Sequence, residues 1–186
     1  INILSKRKVV KKFKKNSYFL SVGRFTRQKN HELLIKLFQY SNLNEKLLII
    51  GEGELSEHLK NLINNLKLNK KIKIINYQKN IFYYIKRSKG VIIPSLWEDP
   101  GFVMIESAHL NKAVICSDCP SGPKEFIGKN KGGFLFKSNS LISLKKAMDS
   151  FKKSDKRVLR NKIKYAKNKS KIYSIENHTK IISNYL

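Results

Sequence analysis

Short apolar runs recur along the chain from residue 18 onward, and segments with helical periodicity separate most of them. Runs of this length, bounded by turn residues, are typical of buried strands. We expect strands at Tyr18–Val22, Leu47–Ile50, Ile72–Ile75, Val91–Ile93, Ala113–Ile115 and Phe134–Phe136. This alternation predicts an α/β fold, a Rossmann-like doubly wound parallel sheet of about six strands with C-terminal helices.

The intervening segments carry apolar residues on one helical face. Asn30 can cap a helix whose apolar side is rich in leucine. Further helices are expected at about Leu55–Leu66, Ile81–Arg87, Val103–Leu110 and Leu141–Phe151. Doubly wound sheets bind ligands in the crevice at the carboxyl ends of their strands, so the chemistry is expected in the loops that follow strands.

The two ends of the chain differ from this alternating middle. Lys6–Lys15 is basic and lacks periodicity, so we interpret residues 1–17 as a basic interdomain linker. Residues 18–151 are expected to form the ligand-binding domain, and residues 152–186 to form basic C-terminal helices. The chain starts at Ile1 without an initiator Met, which indicates a fragment of a longer protein.

Length and composition are those of one folded domain. The chain has 186 residues, of which 41% are hydrophobic. A chain of this size buries about 70% of its unfolded surface. No apolar run reaches the length of a transmembrane helix, and the apolar start is too short for a signal peptide. These features favour a cytoplasmic location, with at most peripheral contact with the inner face of the membrane.

Net charge is the strongest anomaly of the composition. The chain carries 39 Lys and Arg against 13 Asp and Glu, a formal net charge of +26. Such an excess attracts phosphates, anionic lipid or nucleic acid. A lysine-rich composition spread over a solvated surface explains the same number. Basic clusters at Lys6–Lys15 and Lys152–Lys171 make an anionic membrane surface one candidate partner.

Cys116 and Cys119 have the spacing of a redox motif, which functions where it opens a helix in a thioredoxin-like unit. Here the pair follows a predicted strand and precedes Pro120, which disfavours redox chemistry. Two cysteines cannot complete a four-ligand zinc site, and the histidines are scattered along the chain. We therefore expect neither a metal nor an organic cofactor.

The loop after the first strand, residues 23–30, places cations between a strand and a helix N-terminus. Gly23 permits close backbone approach, and the helix end offers free N–H groups with partial positive charge. Arg24 can hold a diphosphate as a bidentate fork and Lys29 can act as a point charge. Basic loops of this kind also occur as solvated turns.

The loop after the second strand reads Gly51-Glu52-Gly53-Glu54. It is not a dinucleotide-binding fingerprint, because Ser56 stands where the third glycine belongs. The chain also lacks the Gly-Lys-Ser or Gly-Lys-Thr of a phosphate-binding P-loop. We interpret these glycines as a tight turn beside the ligand pocket.

The loop after the fourth strand carries the most specific signal. Glu98 and Glu106 are separated by seven residues, and a turn at Pro100-Gly101 would leave Glu98 in the loop and Glu106 in the early turns of a helix. Two carboxylates placed in this way can hydrogen-bond two different polyols, while the helix N–H groups face a phosphate between them. A solvated loop carboxylate and a helical Glu paired with a lysine are the alternative.

Taken together, the three loops resemble retaining glycosyltransferases of family four, whose two-domain architecture is called GT-B. The resemblance runs from about Tyr18 to Phe151, with the motifs in the family order. It implies that Gly23, Arg24 and Lys29 bind the pyrophosphate of a sugar donor. The stretches 51–54 and 117–125 also look like those of family members.

The family's Glu-x7-Glu motif matches Glu98 and Glu106. The resemblance implies that Glu98 lies near the donor sugar and that Glu106 binds the ribose hydroxyls. Gly101 and Phe102, followed by Val103, fall where the family presents backbone N–H groups to sugar and phosphate.

The resemblance implies transfer of a sugar, with retained anomeric configuration, from a UDP- or GDP-linked donor to an acceptor, without a bound metal. Arg24, Lys29 and a helix N-terminus can stabilise the charge of the departing diphosphate, and Glu98 positions the sugar. These three residues are the expected catalytic set. In the family the acceptor binds an N-terminal domain, so we expect this chain to be a donor-binding module for cell-envelope or surface glycan synthesis that is inactive without that domain.

One departure from the family pattern lies in the third loop. The family usually has Gly-Phe-Gly after its first Glu, whereas this chain has Asp99-Pro100-Gly101. The resemblance therefore does not fix the donor sugar or the conformation of this loop.

A non-enzymatic nucleic-acid-binding domain is the alternative that the net charge raises. Aromatic residues among the basic clusters, such as Phe13, Tyr165 and Tyr173, are sparse, and no nucleic-acid-binding motif occurs. A Rossmann-type dehydrogenase is disfavoured by its missing third glycine. We therefore expect a nucleotide sugar, and not nucleic acid, as the partner.

Overall fold

The computed structural model describes residues 14–41 and 43–173. Its sheet has six strands in the order β3-β2-β1-β4-β5-β6, and all neighbouring pairs are parallel. The strands are Tyr18–Val22 (β1), Lys46–Ile50 (β2), Ile72–Ile75 (β3), Gly90–Ile93 (β4), Val114–Ser117 (β5) and Phe134–Phe136 (β6). The predicted doubly wound parallel sheet is confirmed, with strand starts that differ by at most one residue.

Helices cover both faces of this sheet. They are His31–Tyr40 (α1), Ser56–Asn65 (α2), Phe82–Arg87 (α3), Phe102–His109 (α4), Pro123–Ile127 (α5), Leu141–Lys153 (α6) and Lys156–Ser170 (α7). Sequence periodicity did not predict α5. This helix has only five residues and lies between Gly122 and Gly128, so it is too short to show an apolar stripe.

The strands separate two apolar cores. Successive side chains along a strand face opposite sides, so Leu47 and Ile49 pack into one core while Leu48 and Ile50 pack into the other. Helices α1, α2 and α6 complete the first core, and α3, α4 and α5 complete the second. Burial of each aliphatic side chain stabilises the fold by about 1.5–3 kcal/mol. The loops that follow the strands are therefore attached to a stable sheet.

Two of the helices begin at capping residues, but Asn30 does not act as predicted. Ser140 caps α6 by accepting from the Ser143 N–H, and Asp155 caps α7 by accepting from the Val158 N–H at 2.8 Å. Asn30 adopts a left-handed conformation at the end of a 3₁₀ turn and makes no capping bond with its side chain. Its amide donates instead to Asn139 Oδ1 at 3.2 Å.

Helix α7 joins the two cores. Leu159 and Ile163 pack against the first core, and Ala166 is fully buried in the second. Gly132 makes room for this helix, because an added Cβ would lie 2.9 Å from the Tyr165 ring. Residues 156–170 are therefore an integral layer of this fold.

No helix of the described residues is long and apolar enough to cross a membrane. The predictions for residues 1–13 and 174–186 lie outside the described residues.

Candidate functional site

The strand order places a crevice between β1 and β4. The chain builds β1, β2 and β3 toward one side and then returns to place β4 on the other side of β1. At such a switch point the loops after the two central strands diverge and leave space for a ligand at the carboxyl ends. A cleft of about 400 Å³ lies there, and the loops after β1 and β4 line it together with the start of α4.

The glycines after β2 support the loop after β1. A Cβ on Gly51 would lie 1.9 Å from the Gly23 carbonyl oxygen, so only glycine fits at this position. The backbone of Phe25 donates to the Glu52 carbonyl at 2.8 Å, and Gly53 packs directly against the Phe25 backbone. The structure thus places this motif as a tight turn behind the cleft, as predicted.

Hydrogen bonds hold the loops after β1 and β4 together. The Leu96 N–H donates to the Gln28 carbonyl at 2.8 Å, and the Gln28 side-chain amide donates to the Trp97 carbonyl at 2.9 Å. Sequence reasoning missed Gln28 and Trp97, although both line the cleft. Gln28 belongs to the 3₁₀ turn between the two predicted cations, and that position is the only signal that could have identified it.

Glu98 lies at the meeting point of these loops and is 7% exposed. The Lys29 ammonium donates to both of its carboxylate oxygens, at 2.7 and 2.8 Å, and the Ser95 hydroxyl donates to Oε1 at 2.5 Å. The Ser117 hydroxyl in turn donates to the Ser95 carbonyl at 2.5 Å. Two of the predicted site residues are thus brought together, and Lys29 is an ion-pair partner of Glu98 in this structure.

Arg24 and the N-terminus of α4 face the same cleft. Arg24 is exposed, lines the cleft, and forms no ion pair with any described residue, so its guanidinium is available to an anion. Gly101 precedes α4 with a φ of 80°, a left-handed conformation that glycine adopts without strain. The cleft is also lined by Phe102 and Val103, which open a helix whose first N–H groups carry partial positive charge.

Glu106 is not part of this cleft in the structure. It lies in the second turn of α4, as the spacing predicts, and it is half-buried. Burial raises the pKa of its carboxyl group. The structure therefore brings Arg24, Lys29 and Glu98 together near the start of α4. Gly23 packs beside the Lys29 side chain but does not line the cleft, and Glu106 lies farther along α4.

His31, at the start of α1, lies buried behind the β1 loop. Its Nδ1 is 3.3 Å from the Ser21 hydroxyl, and its ring meets Phe25 edge to face. Burial lowers the pKa of His31 to about 4, and the nearby Lys29 ammonium acts in the same direction. The imidazole is therefore neutral at physiological pH and packs as part of the core under the cleft.

The buried neutral imidazole makes stability depend on pH. Between its unfolded pKa of 6.5 and its folded pKa of about 4, the unfolded state binds a proton that the folded state does not, so the free energy of unfolding rises with pH. Wild type should lose on the order of 3 kcal/mol from this group as the pH falls through that window. Urea unfolding at several pH values measures this loss.

A His31→Gln variant should have a flatter pH dependence over that window than wild type. His109→Gln is the matched control, because it removes an exposed imidazole in place of the buried one. Parallel profiles for wild type and His31→Gln would show that His31 is not the group that titrates.

The cysteine pair lies on the β6 side of the cleft. Cys116 lies within β5. Both Cys116 and Cys119 are buried, and neither forms a disulfide. Burial raises the pKa of both thiols, so neither is a thiolate at neutral pH. Their burial and their raised pKa values disfavour redox chemistry, in line with the sequence prediction.

A second cavity, of about 430 Å³, lies on the opposite side of the sheet from the cleft, near the amino ends of the strands. Lys89, Lys112 and Lys152 line it. Lys89 and Lys152 pair with Glu45, and the Lys112 ammonium donates to the Ser88 carbonyl at 2.8 Å. These lysines already have partners, so this cavity is a weaker candidate for an anion site than the switch-point cleft.

Comparison with known proteins agrees with this geometry. The family model described as "Glycosyl transferases group 1" matches residues 2–170. The chain belongs to this family. The predicted resemblance to GT-B glycosyltransferases is therefore confirmed.

Two relatives illustrate the similarity. An uncharacterized glycosyltransferase of Methanocaldococcus jannaschii is 39% identical over 118 residues, which cover 62% of this chain and 29% of the relative. A Campylobacter jejuni enzyme, N-acetylgalactosamine-N,N'-diacetylbacillosaminyl-diphospho-undecaprenol 4-alpha-N-acetylgalactosaminyltransferase, is 32% identical over 152 residues, which cover 81% of this chain and 42% of the enzyme. The chain thus spans less than half the length of either relative.

A solved structure shows the same fold. TarM of Staphylococcus aureus, in a complex with fondaparinux, alpha-GlcNAc-glycerol and UDP, superposes with a TM-score of 0.81 and 21% sequence identity. The match covers 92% of this chain and 36% of TarM. It confirms the Rossmann-like fold of a GT-B glycosyltransferase.

Proposed function

We propose that this chain is the donor-binding domain of a retaining glycosyltransferase that transfers a sugar from a nucleotide diphosphate sugar to an acceptor. The observation that carries the proposal is the switch-point cleft, where Arg24, the Lys29–Glu98 pair and the start of α4 converge. Membership of the group 1 family and the UDP in the TarM complex support a nucleotide-linked donor.

The charges of the cleft suit the chemistry of sugar transfer. The leaving group is a nucleoside diphosphate, and its negative charge grows as the glycosidic bond breaks. The Arg24 guanidinium and the α4 N–H groups are donors at this position, so they can stabilise that charge. The Lys29 ammonium donates to both carboxylate oxygens of Glu98, which keeps the carboxylate in place to hydrogen-bond a sugar hydroxyl.

The donor side alone does not complete the reaction. In the proposal, an N-terminal domain outside this chain binds the acceptor, and the chain by itself binds donor without transferring sugar. The Campylobacter relative acts on a diphospho-undecaprenol acceptor, which supports a role in cell-envelope or surface glycan synthesis.

Isothermal titration calorimetry with UDP, GDP and their sugar conjugates tests the donor-binding function. We expect one nucleoside diphosphate series to bind in the micromolar range, about −8 kcal/mol, and the matching monophosphate to bind more weakly. Equal affinity for the monophosphate and the diphosphate would contradict a site built for a diphosphate.

We further propose that the domain works on the cytoplasmic side of an anionic membrane, to which it adsorbs reversibly. Arg157, Arg160 and Lys164 lie on the exposed side of α7. None of the three forms an ion pair with a described residue. Basic side chains near an anionic leaflet attract it, and the attraction weakens with salt.

A triple variant that changes Arg157, Arg160 and Lys164 to Gln should bind phosphatidylglycerol vesicles about a hundredfold more weakly, since each cation contributes about 1 kcal/mol. Vesicle co-sedimentation measures this, with neutral vesicles for comparison. The matched control changes Lys70, Lys71 and Lys73, exposed residues at the β3 end of the sheet, and should keep most of the binding.

Competition with duplex DNA separates the membrane from nucleic acid, because both interactions depend on salt. Tight binding to DNA without binding to anionic vesicles would contradict the membrane proposal. Binding to neither would assign the net charge to composition alone.

A further inference from the structure

Asp99 is an acidic residue of the cleft that no ion pair among the described residues engages. Its exposed side chain lines the cleft next to Glu98. Within residues 14–41 and 43–173, no ion pair or hydrogen bond engages its carboxylate. No described side chain is therefore paired with this carboxylate.

Glu98 differs from Asp99 in this respect. Its Oε1 accepts from both Ser95 and Lys29, and its Oε2 accepts from Lys29. The Lys29 ammonium balances its charge, and one acceptor position on Oε2 is left for a ligand. The carboxylate of the cleft that has no cation paired with it is therefore that of Asp99.

The cations of the cleft have other partners in the proposed donor complex. Lys29 is paired with Glu98, and the proposed function assigns Arg24 and the α4 N-terminus, which line the cleft, to the diphosphate. A carboxylate on the sugar ring would thus enter the cleft beside Asp99 without a cation of its own. A neutral sugar offers hydroxyl groups that can donate to the same carboxylate.

We propose that Asp99 is a specificity-determining residue that restricts the donor to nucleotide sugars without an acidic group on the ring. The inference rests on the proposed function of the cleft as a donor site. Asp99 acts by repulsion of the wrong ligand as well as by hydrogen bonding to the right one, and both elements contribute to discrimination.

UDP-glucose and UDP-glucuronic acid test this proposal, because they differ only in whether C6 is a hydroxymethyl group or a carboxylate. GDP-mannose and GDP-mannuronic acid are the corresponding pair for a guanine donor. Calorimetric titration of the full chain should show the neutral member binding at least about tenfold more tightly. Added salt should narrow the gap, because the carboxylate is exposed to solvent.

Asp99→Asn keeps the shape of the side chain and removes its charge. This variant should bring the ratio between neutral and acidic sugar below about threefold, mainly by tightening the acidic member. The ratio is the quantity to compare, because any repulsion between Asp99 and the diphosphate cancels in it. Glu52→Gln, an exposed carboxylate outside the cleft wall, is the control and should leave the ratio unchanged.

The titrations distinguish a failure of the Asp99 proposal from a failure of the proposed donor-binding function. If UDP or GDP sugars bind and the ratio is the same in wild type and Asp99→Asn, the inference is overturned and the donor-binding function stands. If wild type prefers the acidic sugar, the inference is also overturned. If no nucleotide or nucleotide sugar binds, the proposed function fails and this inference fails with it.

Discussion

Replacing Arg24 with alanine should weaken the binding of nucleoside diphosphates by roughly ten- to a hundredfold. A charge-assisted hydrogen bond contributes about 1.5–3 kcal/mol, and Arg24 lines the cleft without an ion-pair partner among the described residues. Nucleoside diphosphate and nucleotide sugar should lose affinity by the same factor, because the diphosphate is common to both. Calorimetric titration of each ligand measures the two factors.

Arg27→Ala is the matched control for this prediction. Arg27 lies in the same loop and is exposed, but it does not line the cleft. Its loss removes the same charge from the domain, so it accounts for any long-range effect of net charge on an anionic ligand. If Arg27→Ala and Arg24→Ala lose affinity equally, the diphosphate contact is not at Arg24.

Replacing Glu98 should separate nucleotide sugar from nucleoside diphosphate. We expect Glu98→Ala to weaken the nucleotide sugar by about tenfold or more, the loss of a hydrogen bond to a charged group. Nucleoside diphosphate should be affected less, because Lys29 is then released to face the phosphates. Glu98→Gln, which keeps an oxygen acceptor near Ser95, should lie between wild type and alanine.

Glu106→Ala provides the contrast within the same motif. If Glu106 hydrogen-bonds the ribose, this variant weakens the binding of nucleoside diphosphate and of nucleotide sugar by the same factor, because both ligands contain the ribose. An exposed carboxylate outside the cleft, Glu54, serves as the control for both substitutions. A loss confined to the nucleotide sugar in Glu106→Ala, with both ligands affected in Glu98→Ala, would show that the two roles are exchanged.

Much of the fold could be predicted because parallel strands and their helices are local patterns in the sequence. The strand β1 and the loop at Arg24 and Lys29 could be located from an apolar run followed by glycine and cations. The family order of the motifs then placed Glu98 at the same edge of the sheet. These residues lie close together because parallel strands place the loops that follow them at the same, carboxyl-terminal side of the sheet.

The ion pair in the cleft could not be predicted from local patterns. Lys29 and Glu98 lie 69 positions apart, and their contact depends on the pairing of β1 with β4 and on the turn of each loop. The conformation of Asn30 was also missed, because it is set by the 3₁₀ turn before it and by Asn139, which is distant in sequence. Such contacts arise from tertiary packing and leave no periodic signal.

A crystal structure of the chain with UDP or GDP, whichever binds more tightly, would show where the diphosphate binds. We expect the diphosphate in the switch-point cleft, within hydrogen-bonding distance of the Arg24 guanidinium and of N–H groups at the start of α4. A diphosphate bound instead near the amino ends of the strands, in the cavity of Lys89, Lys112 and Lys152, would contradict the proposed donor site.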